Sequence, residues 1–338
     1  MVYPVLEKVQ NSDIMQSGFA HQPQVQVGDK VLKIERNLGN GAFGVVYKVK
    51  DERTLTDYAL KDILCFDNSE YRDAIREVQT LNQIAHENVI SVKAADQFQD
   101  SGGFHILILT EYCAGGNLNK RLARPSSDLE NFKWMRQCAA ALAFLHSRGV
   151  VHRDLKADNV LLTAAEDVKL ADFGLAREYI ALKTDARRDD GSWLTSYPQY
   201  FMNSKVGTVH WMAPEVFRGN YTEKADVFSL GAIFYAILER DFITIDGEKL
   251  YGAFTRPLFG RKIGIGYVMA TDSNKSIRVS FSRQAQGSKF MQSITIDALQ
   301  YDEKDRPSAA EVHEKIENLA AEINFWMKEG SRAYCPIS

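Results

Sequence analysis

The chain divides into a strand-rich first part and a helix-rich remainder, and this division limits its possible folds more than any other feature of its 338 residues. Short runs of β-branched and aromatic residues at 31–34, 45–49, 58–60 and 104–109 predict strands, because such side chains favour extended backbone. The sequence Ala114-Gly115-Gly116-Asn117 then breaks regular structure. Segregated strands and helices predict an α+β fold of two lobes, with a cleft between them as the expected ligand site.

Helices are predicted where apolar residues recur on one face. The first lobe is expected to have one main helix at about 73–85, in which Ile75, Val78, Leu81 and Ile84 are spaced by three. Later helices are predicted at about 135–146, 228–238 and 308–327. The second lobe is therefore expected to be mostly α-helical.

Lobe boundaries follow from the same patterns. The first lobe is predicted at 30–112 and the second at 118–328, with a hinge at 111–117. Residues 1–29 are polar and have no lasting period, so we expect a flexible extension there. Residues 329–338 are predicted to be a C-terminal tail.

Charge and hydropathy exclude several classes of protein. The chain has 41 basic and 44 acidic side chains, which gives a formal net charge of −3, whereas a dedicated nucleic-acid binder usually has a basic excess. The longest apolar run, Leu230–Leu238, has nine residues, against about 20 for a membrane-spanning helix. The four cysteines form no C-x-x-C pair, and the first thirty residues lack the pattern of a signal peptide. We therefore expect an intracellular protein with reduced thiols, no nucleic-acid ligand and no membrane insertion.

Residues Leu38–Val46 match the pattern G-x-G-x-x-G-x-V. Glycine permits backbone shapes that a side chain forbids, and it lets amide groups approach phosphate oxygens closely. A simple glycine-rich hairpin explains the pattern equally well. Because the motif lies between two predicted strands, it does not fit a dinucleotide-binding βα unit, and the chain has no G-x-x-x-x-G-K-[ST] motif.

Lys61 ends an apolar strand in Tyr58-Ala59-Leu60-Lys61. A lysine at a strand edge is common, and so is a solvated glutamate on a helix. The alternative is that Lys61 points into the cleft toward phosphates and that Glu77, from the following helix, holds it there.

Three further segments carry the strongest signal. They are His152-Arg153-Asp154-Leu155-Lys156-Ala157-Asp158-Asn159, Asp172-Phe173-Gly174 and Gly207-Thr208-Val209-His210-Trp211-Met212-Ala213-Pro214-Glu215. In this order, and together with the glycine-rich motif, Lys61 and Glu77, they resemble the signatures of the protein kinase family. The resemblance covers nearly the whole chain and implies a two-lobed kinase domain at 30–328.

The resemblance also implies a reaction and its catalytic residues. Kinases of this family use ATP and Mg²⁺ to transfer the γ-phosphoryl group to hydroxyls of protein substrates. By resemblance, Asp154 accepts or orients the proton of the attacking hydroxyl, and Lys156 stabilises the transferring group. Lys61 holds the α- and β-phosphates, and Glu77 fixes Lys61. Asn159 and Asp172 offer oxygen ligands to Mg²⁺.

The expected ATP contacts come from the glycine-rich motif, the strands that follow it, the hinge and the second lobe. They are Leu38, Gly39, Asn40, Gly41, Ala42, Phe43, Gly44, Val46, Ala59, Lys61, Thr110, Glu111, Cys113 and Leu161. The resemblance places the adenine ring between Val46 and Ala59 on one side and Leu161 on the other. The backbone of Glu111 and Cys113 is expected to bind the edge of the ring, and the small Thr110 predicts an open pocket behind it.

Three residues of the second lobe match structural positions of the family. Asp226 resembles the buried carboxylate that ties down the catalytic loop. Arg306, in Asp305-Arg306-Pro307, resembles the partner of Glu215. A structural role is predicted for these three residues.

The residue that receives the phosphate is predicted from two positions. Lys156, two residues after Asp154, and Thr208, in the segment before Ala213-Pro214-Glu215, follow the pattern of serine/threonine kinases. Trp211 departs from the commoner tyrosine close to the expected substrate site, and this departure leaves the local sequence preference open.

Two segments outside these motifs leave alternatives open. Residues 172–215 span 44 positions with six candidate phosphorylation sites: Thr184, Ser192, Thr195, Ser196, Tyr197 and Ser204. A phosphate there would pair with Arg153, or the loop is simply unmodified. Residues 250–290 have seven basic residues and one acid, which fits either a docking surface for an acidic partner or a solvated loop.

The stretches 111–118, 220–231 and 237–246 resemble the Clik-type subgroup of serine/threonine kinases. That resemblance implies a cytoskeletal partner with PDZ and LIM domains and a location in the nucleus, the cytoplasm or both. Three competing functions are a catalytically inactive ATP-binding scaffold, a dual-specificity kinase and a small-molecule phosphotransferase. The scaffold is disfavoured because Lys61, Asp154, Asn159 and Asp172 are all present.

Overall fold

A computed structural model describes most of the chain. The described residues are 24–41, 44–100, 102–174, 177–178, 195–196, 208–255, 262–272, 274 and 277–328. Its internal contacts divide the chain into two units: Met1–Asn82 with Ser91–Tyr112, and Gln83–Ile90 with Cys113–Ser338.

The first unit is built on a six-stranded antiparallel sheet and one helix. The strands are β1 (Gln24–Val27), β2 (Lys30–Gly41), β3 (Gly44–Asp51), β4 (Asp57–Cys65), β5 (Val92–Asp100) and β6 (Gly103–Glu111), and the helix is α1 (Asn68–Asn82). The strand order across the sheet is β1-β2-β3-β4-β6-β5. The predicted strands and the single main helix of the first lobe are therefore present.

Side chains alternate between the two faces of this sheet, and each face has its own core. Leu32, Leu60 and Leu109 belong to one cluster of buried apolar residues. Ile63 and Ile108 belong to a second cluster, which includes residues of α1. Helix α1 therefore packs on one face only, and the residues of β4 that share this face with Ile63 include Lys61.

Strand β1 corrects one prediction, because Gln24–Val27 is part of the sheet and not of a flexible extension over 1–29. Val25 lies opposite Leu32 in the β1–β2 register, and Val27 is fully buried. The alternation Gln-Val-Gln-Val has the period of a half-buried strand, but four residues among many polar ones gave too weak a signal. Residues 1–23 lie outside the described part of the chain.

His105 lies within hydrogen-bond or ion-pair distance of two carboxylates of this unit. Its Nδ1 is 2.8 Å from Asp62 Oδ1 on β4, and its Nε2 is 3.5 Å from Asp100 Oδ2 at the end of β5. Its ring also stacks on Phe98, with the two centroids 4.4 Å apart. Burial alone would lower the pKa of His105, but the hydrogen bond and charge of Asp62, together with Asp100, raise it above its ordinary value.

A raised folded-state pKa makes a testable prediction about stability. The stabilisation from protonated His105 is complete below the unfolded-state value of about 6.5 and is lost as the pH rises through the raised value. We expect the free energy of unfolding to fall over this range in the wild type and to fall less in His105→Gln. Urea unfolding at several pH values between 5.5 and 8.5 measures the difference, and parallel curves for the two proteins would contradict the prediction.

Six α-helices of the second unit lie in the described part of the chain. They are α2 (Leu118–Arg121), α3 (Asp128–Ser147), α4 (Glu223–Glu239), α5 (Ile265–Thr271), α6 (Lys289–Ala298) and α7 (Ala309–Lys328). The helices predicted at 135–146 and 228–238 fall within α3 and α4, and the helix predicted at 308–327 matches α7 with its ends shifted by one residue. None of the described helices is both long enough and apolar enough to cross a membrane.

The described short strands of the second unit form one three-stranded sheet and four two-stranded ladders. Three strands form one sheet: β7 (Gly116–Asn117), β9 (Val160–Leu162) and β10 (Val168–Leu170), in the order β10-β9-β7. The two-stranded ladders are β8 (Val150–Val151) with β11 (Arg177–Glu178), β12 (Thr195–Ser196) with β13 (Asn220–Tyr221), β14 (Phe242–Ile245) with β15 (Glu248–Tyr251), and β16 (Phe254–Thr255) with β17 (Ile263–Gly264). Mixed strand and helix content of this kind confirms the α+β prediction.

Helix α4 lies at the centre of the second unit. Thr222 caps its N-terminus by accepting a hydrogen bond from the Lys224 backbone, and every residue from Ala225 to Leu238 is buried. The helix packs against α3 and α6. Gly231 permits the close approach of α6, since a Cβ atom there would lie only 2.8 Å from the Cβ of Ala298.

The segment Gln83–Ile90 belongs to the second unit, although it was predicted within the first lobe. Asn88 Nδ2 donates to the carbonyl of Val168 at 3.1 Å, and the Leu170 backbone N donates to the Asn88 carbonyl at 2.8 Å. These hydrogen bonds join residues 80 or more positions apart, so local sequence patterns carried no sign of them.

Candidate active site

The ion pair predicted between Lys61 and Glu77 is present in the first unit. Lys61 Nζ donates to Glu77 Oε1 at 2.8 Å and to Oε2 at 3.1 Å. The Glu77 side chain is only 4% exposed, so it is held under the sheet by the packing of α1. The lysine is thereby fixed in direction and still partly accessible, as a cation that binds phosphates must be.

The sheet register brings further predicted residues to the face of Lys61. Val46 on β3 lies directly opposite Lys61 on β4. Ala59, two residues before Lys61, lies opposite Thr110 on β6. Because directly paired residues and residues two apart share a face, these four side chains lie on one face of the sheet.

The glycine-rich motif is a hairpin between β2 and β3, as its setting between two strands predicted. Gly39 pairs with Val46, Asn40 with Val45, and Gly41 with Gly44. Only glycine fits at position 44, where φ is +136° and a Cβ atom would lie 2.1 Å from the Asp62 carbonyl oxygen.

Other residues of this motif are described only in part. Leu38 is partly buried in β2. The side chain of Asn40 and all of Ala42 and Phe43 lie outside the described residues.

Glu111 ends β6 with its side chain engaged within the first unit. Its Oε1 accepts hydrogen bonds from the Ser91 backbone N at 3.0 Å and from Ser91 Oγ at 2.9 Å. Thr110 Oγ1 donates to the Ala59 carbonyl at 3.4 Å. The Glu111 backbone N also donates to the Ser91 carbonyl, at 3.3 Å. The expected contact of the Glu111 backbone with the adenine ring stays a prediction.

In the second unit, Asp226 on α4 holds the segment that contains the predicted catalytic residues. Its Oδ2 accepts from the His152 backbone N at 2.7 Å, and its Oδ1 accepts from the Arg153 backbone N at 2.9 Å. His146 Nε2 lies 3.0 Å from Oδ2, and the Tyr221 hydroxyl donates to Oδ1. The predicted tie between Asp226 and the catalytic loop is therefore confirmed.

The surroundings of Asp226 keep it charged inside the protein. Burial alone would raise the pKa of this carboxyl, but the hydrogen bonds and charges of His146, His152 and Tyr221 hold it below its ordinary value. The loop it anchors includes Arg153 at φ +71°, a left-handed conformation that a non-glycine residue adopts at some cost.

Asp154 occupies the centre of this loop and is 5% exposed. Its Oδ2 accepts from Lys156 Nζ at 2.7 Å and from Asn159 Nδ2 at 3.1 Å. Its buried Oδ1 has no hydrogen-bond partner among the described residues. Burial raises the pKa of the Asp154 carboxyl, and the charge of Asp172 acts in the same direction, while Lys156 opposes them.

Asn159 and Asp172 provide the donor set expected for Mg²⁺. Asn159 Nδ2 is committed to Asp154, at 2.8 Å from its carbonyl and 3.1 Å from Oδ2, so the amide oxygen is the atom that remains for a cation. Asp172 adds a carboxylate at φ +65°, close enough to Asp154 to influence its pKa. Amide and carboxylate oxygens are the ligands that Mg²⁺ prefers, so these residues fit the ion.

The chain around Asp172 and Leu161 is fixed by packing within the second unit. Phe173 is 1% exposed, and its ring centroid lies 4.9 Å from that of His152. On β9, Val160 and Leu162 are fully buried, whereas Leu161 between them is directed to the other side and is partly exposed. Cys113, the remaining predicted ATP contact, is buried at the start of this unit.

Arg306 and Glu215 form the buried ion pair that the sequence predicted. Arg306 NH1 donates to Glu215 Oε1 at 2.6 Å, and NH2 donates to Oε2 at 2.8 Å. The Arg306 side chain is fully buried and also donates to the carbonyls of Gln300, Lys224 and Tyr301. The pair joins the end of the 208–215 segment to the loop before α7.

Sequence reasoning missed two residues that position the loop, His146 and Tyr221. Both bind Asp226 directly, but one ends α3 and the other lies in β13. Five residues separate Tyr221 from Asp226, which is close enough for a turn contact, although nothing in the sequence singled this tyrosine out.

Several predictions fall on residues outside the described part of the chain. They concern the side chains of Thr184, Ser192, Thr195, Ser196, Tyr197, Ser204 and Thr208, and the basic residues Arg256, Arg261 and Lys275. Phosphorylation of the 172–215 segment and docking at 250–290 therefore stay predictions.

A sheet-based unit with a lysine–glutamate ion pair and a helical unit in which an aspartate is held by a lysine and an asparagine are features of phosphoryl-transfer domains. The family model described as "Protein kinase domain" matches residues 32–316. The chain therefore belongs to the protein kinase domain family, and its sheet-based and helical units are the two lobes of that fold.

Relatives that are similar in sequence to this chain are named as protein kinases. Serine/threonine-protein kinase 1 of Arabidopsis thaliana is 34% identical over 231 residues, which are 66% of this chain and 25% of the relative. Serine/threonine-protein kinase 10 of Homo sapiens is 36% identical over 216 residues, which are 60% of this chain and 20% of the relative. The matched region thus spans about a fifth to a quarter of the length of these relatives.

Proposed function

We propose that this chain is a protein serine/threonine kinase that depends on ATP and Mg²⁺ and transfers the γ-phosphoryl group of ATP to protein hydroxyls. One observation carries the proposal more than any other. Asp154 is buried, is held by Lys156 and Asn159 at hydrogen-bond distance, and has a pKa raised by its burial. Such a carboxylate is suited to orient a hydroxyl and accept its proton.

The remaining residues supply binding and charge neutralisation. Lys61, held by Glu77, would bind the α- and β-phosphates, and the backbone from Gly39 to Gly44 would cover them. Asn159 and Asp172 would hold Mg²⁺, which when bound neutralises charge on the phosphates. Lys156 would stabilise the charge that develops on the transferring group.

Two observations favour serine and threonine as phosphate acceptors. Lys156 stands two residues after Asp154, and Thr208 lies in the segment before Ala213-Pro214-Glu215. The printed names of the relatives also describe serine/threonine kinases. A scaffold without catalysis is disfavoured, because the Lys61–Glu77 pair is formed and the Asp154 constellation is complete.

The test is phosphate transfer from labelled ATP to generic protein substrates, with identification of the labelled amino acid. We expect phosphoserine and phosphothreonine, no phosphotyrosine, and loss of transfer when EDTA removes the divalent metal. Phosphotyrosine would instead indicate a dual-specificity kinase. Absence of transfer at several metal concentrations, with ATP still bound, would favour the scaffold and contradict the proposal.

The finer identity is also a proposal. The stretches 111–118, 220–231 and 237–246 support membership of the Clik-type subgroup, with a cytoskeletal PDZ-and-LIM-domain protein as partner. A nuclear and cytoplasmic location follows from the same resemblance. Co-precipitation of a purified PDZ-LIM protein with this chain tests the partner, and failure to bind at micromolar concentration would remove this part of the proposal.

A further inference from the structure

Trp211 has a buried donor that no described residue satisfies. The residue is 1% exposed, and its indole Nε1 has no hydrogen-bond partner among the described residues. An unsatisfied donor in the interior is costly, so native proteins rarely leave one without a protein or water partner. We therefore expect a hydrogen-bond acceptor next to this N–H group.

The same cavity of about 10 Å³ is lined by Trp211 and by Asp154. Asp154 Oδ1 is itself a buried acceptor without a partner among the described residues. Two of the residues that line the cavity thus each have a buried polar atom without a partner in the described part of the chain, one a donor and the other an acceptor. Its volume is close to the smallest that holds one water molecule, and such a water needs two to four polar partners.

Ser229 lines this cavity as well and fixes the tryptophan. Its Oγ donates to the Trp211 carbonyl at 2.8 Å, which leaves the lone pairs of the oxygen as further acceptors. Because Ser229 belongs to the buried helix α4, the backbone of Trp211 is tied to the most deeply buried element of the unit. The tryptophan is also 1% exposed, so its indole is packed in the interior.

We propose that one water molecule occupies this cavity and joins Trp211 to the catalytic loop. It accepts a hydrogen bond from Trp211 Nε1 and donates one to Asp154 Oδ1, with Ser229 Oγ as its remaining acceptor. Lys156 and Asn159 hold the other oxygen of the carboxylate, so the water fixes the second oxygen and with it the plane of the group. Trp211 is then a positioning residue that acts on Asp154 through the water.

This inference rests on the proposed function only for its effect on the reaction. If Asp154 serves phosphoryl transfer, Trp211→Phe removes the donor and keeps an aromatic ring. We expect kcat to fall about tenfold, because a misdirected catalytic group slows the reaction, while the KM for ATP stays unchanged. Trp211→Tyr restores an O–H donor and should recover most of the loss.

Trp134→Phe is the matched control for this pair of variants. Trp134 is also fully buried in the second unit, but its Nε1 donates to the Glu166 carbonyl at 3.1 Å, away from Asp154. Loss of this donor should leave kcat unchanged in the folded protein. Equal losses in Trp211→Phe and Trp134→Phe, or no recovery in Trp211→Tyr, would overturn the positioning role.

Nuclear magnetic resonance tests the water itself without any need for activity. The chain has four tryptophans, so its indole N–H groups give few signals, and the two phenylalanine variants identify those of Trp211 and Trp134. We expect a cross-peak between the Trp211 indole proton and water, and a shift of this signal in Asp154→Asn that Trp134 does not show. Absence of both effects would overturn the proposal, even if the protein phosphorylates substrates. Their presence in a protein without transferase activity would keep the water site and reject the proposed function.

Discussion

Asp154→Ala should lower kcat for phosphate transfer by about 100-fold or more, because it removes the group proposed to orient the acceptor hydroxyl and take its proton. The KM for ATP should change little, since the proposed phosphate contacts come from Lys61 and the glycine-rich hairpin. The loop itself should keep its shape, because Asp226 holds it through the backbone of His152 and Arg153. Steady-state kinetics at varied ATP concentration measures both constants.

The control for this variant is a carboxylate that is far from the chemistry. Asp297→Asn breaks a surface ion pair with Lys315, whose partners are 39% and 45% exposed, and should leave kcat unchanged. Thermal unfolding of both variants checks that they are folded. If Asp154→Ala retained more than about a tenth of the wild-type kcat, the role of Asp154 in proton transfer would be rejected.

Arg306→Ala should lower the free energy of unfolding by roughly 3–5 kcal/mol, since removal of one partner leaves the other charge buried and unpaired. Glu215 would lose two hydrogen bonds of 2.6 and 2.8 Å. Carbonyl groups of Gln300, Lys224 and Tyr301 would lose donors at the same time. Urea unfolding followed by circular dichroism measures the change.

Arg136→Ala provides a matched comparison in the same unit. Arg136 also binds one glutamate through two hydrogen bonds, to Glu317 at 2.6 and 2.9 Å, but the two side chains are 48% and 36% exposed. Solvent screening should limit its loss to about 0–1 kcal/mol. If Arg306→Ala does not fold, Glu215→Gln replaces it as the test, because it removes the charge and keeps an acceptor. Similar losses at the buried and exposed pairs would contradict the argument.

Much of the fold could be predicted because its signals are local. Short runs of β-branched residues predicted the strands, and the spacing of apolar residues predicted the helices. The structure contains these elements, with ends that differ by a few residues from the predicted ones. The strand Gln24–Val27 was missed, since its four residues become recognisable only when β2 pairs with them. The sequence also did not predict that Gln83–Ile90 belongs to the second unit, because the hydrogen-bond partner of Asn88 in this segment lies about 80 positions later.

The candidate site could be predicted as a set of residues with a few of its ion pairs, but not as a full geometry. The motifs implied that Glu77 holds Lys61, and the packing of α1 shows how the two side chains meet. Trp211 was recognised as a departure from tyrosine near the expected substrate site. The hydrogen bond from Ser229 on α4 to the Trp211 carbonyl joins residues 18 positions apart, and such a contact has no sequence period.

The burial of α4 affects how this domain can vary. A helix at a protein surface accepts substitutions on one side, so its tolerance rises and falls with each turn. Every position from Ala225 to Leu238 is enclosed, and the helix also carries Asp226, which holds the catalytic loop, and Ser229, which holds Trp211. No face of α4 can therefore accept substitutions without effect. A side chain of different volume at any of these positions should disturb the packing of the core and, with it, the segments that Asp226 and Ser229 hold.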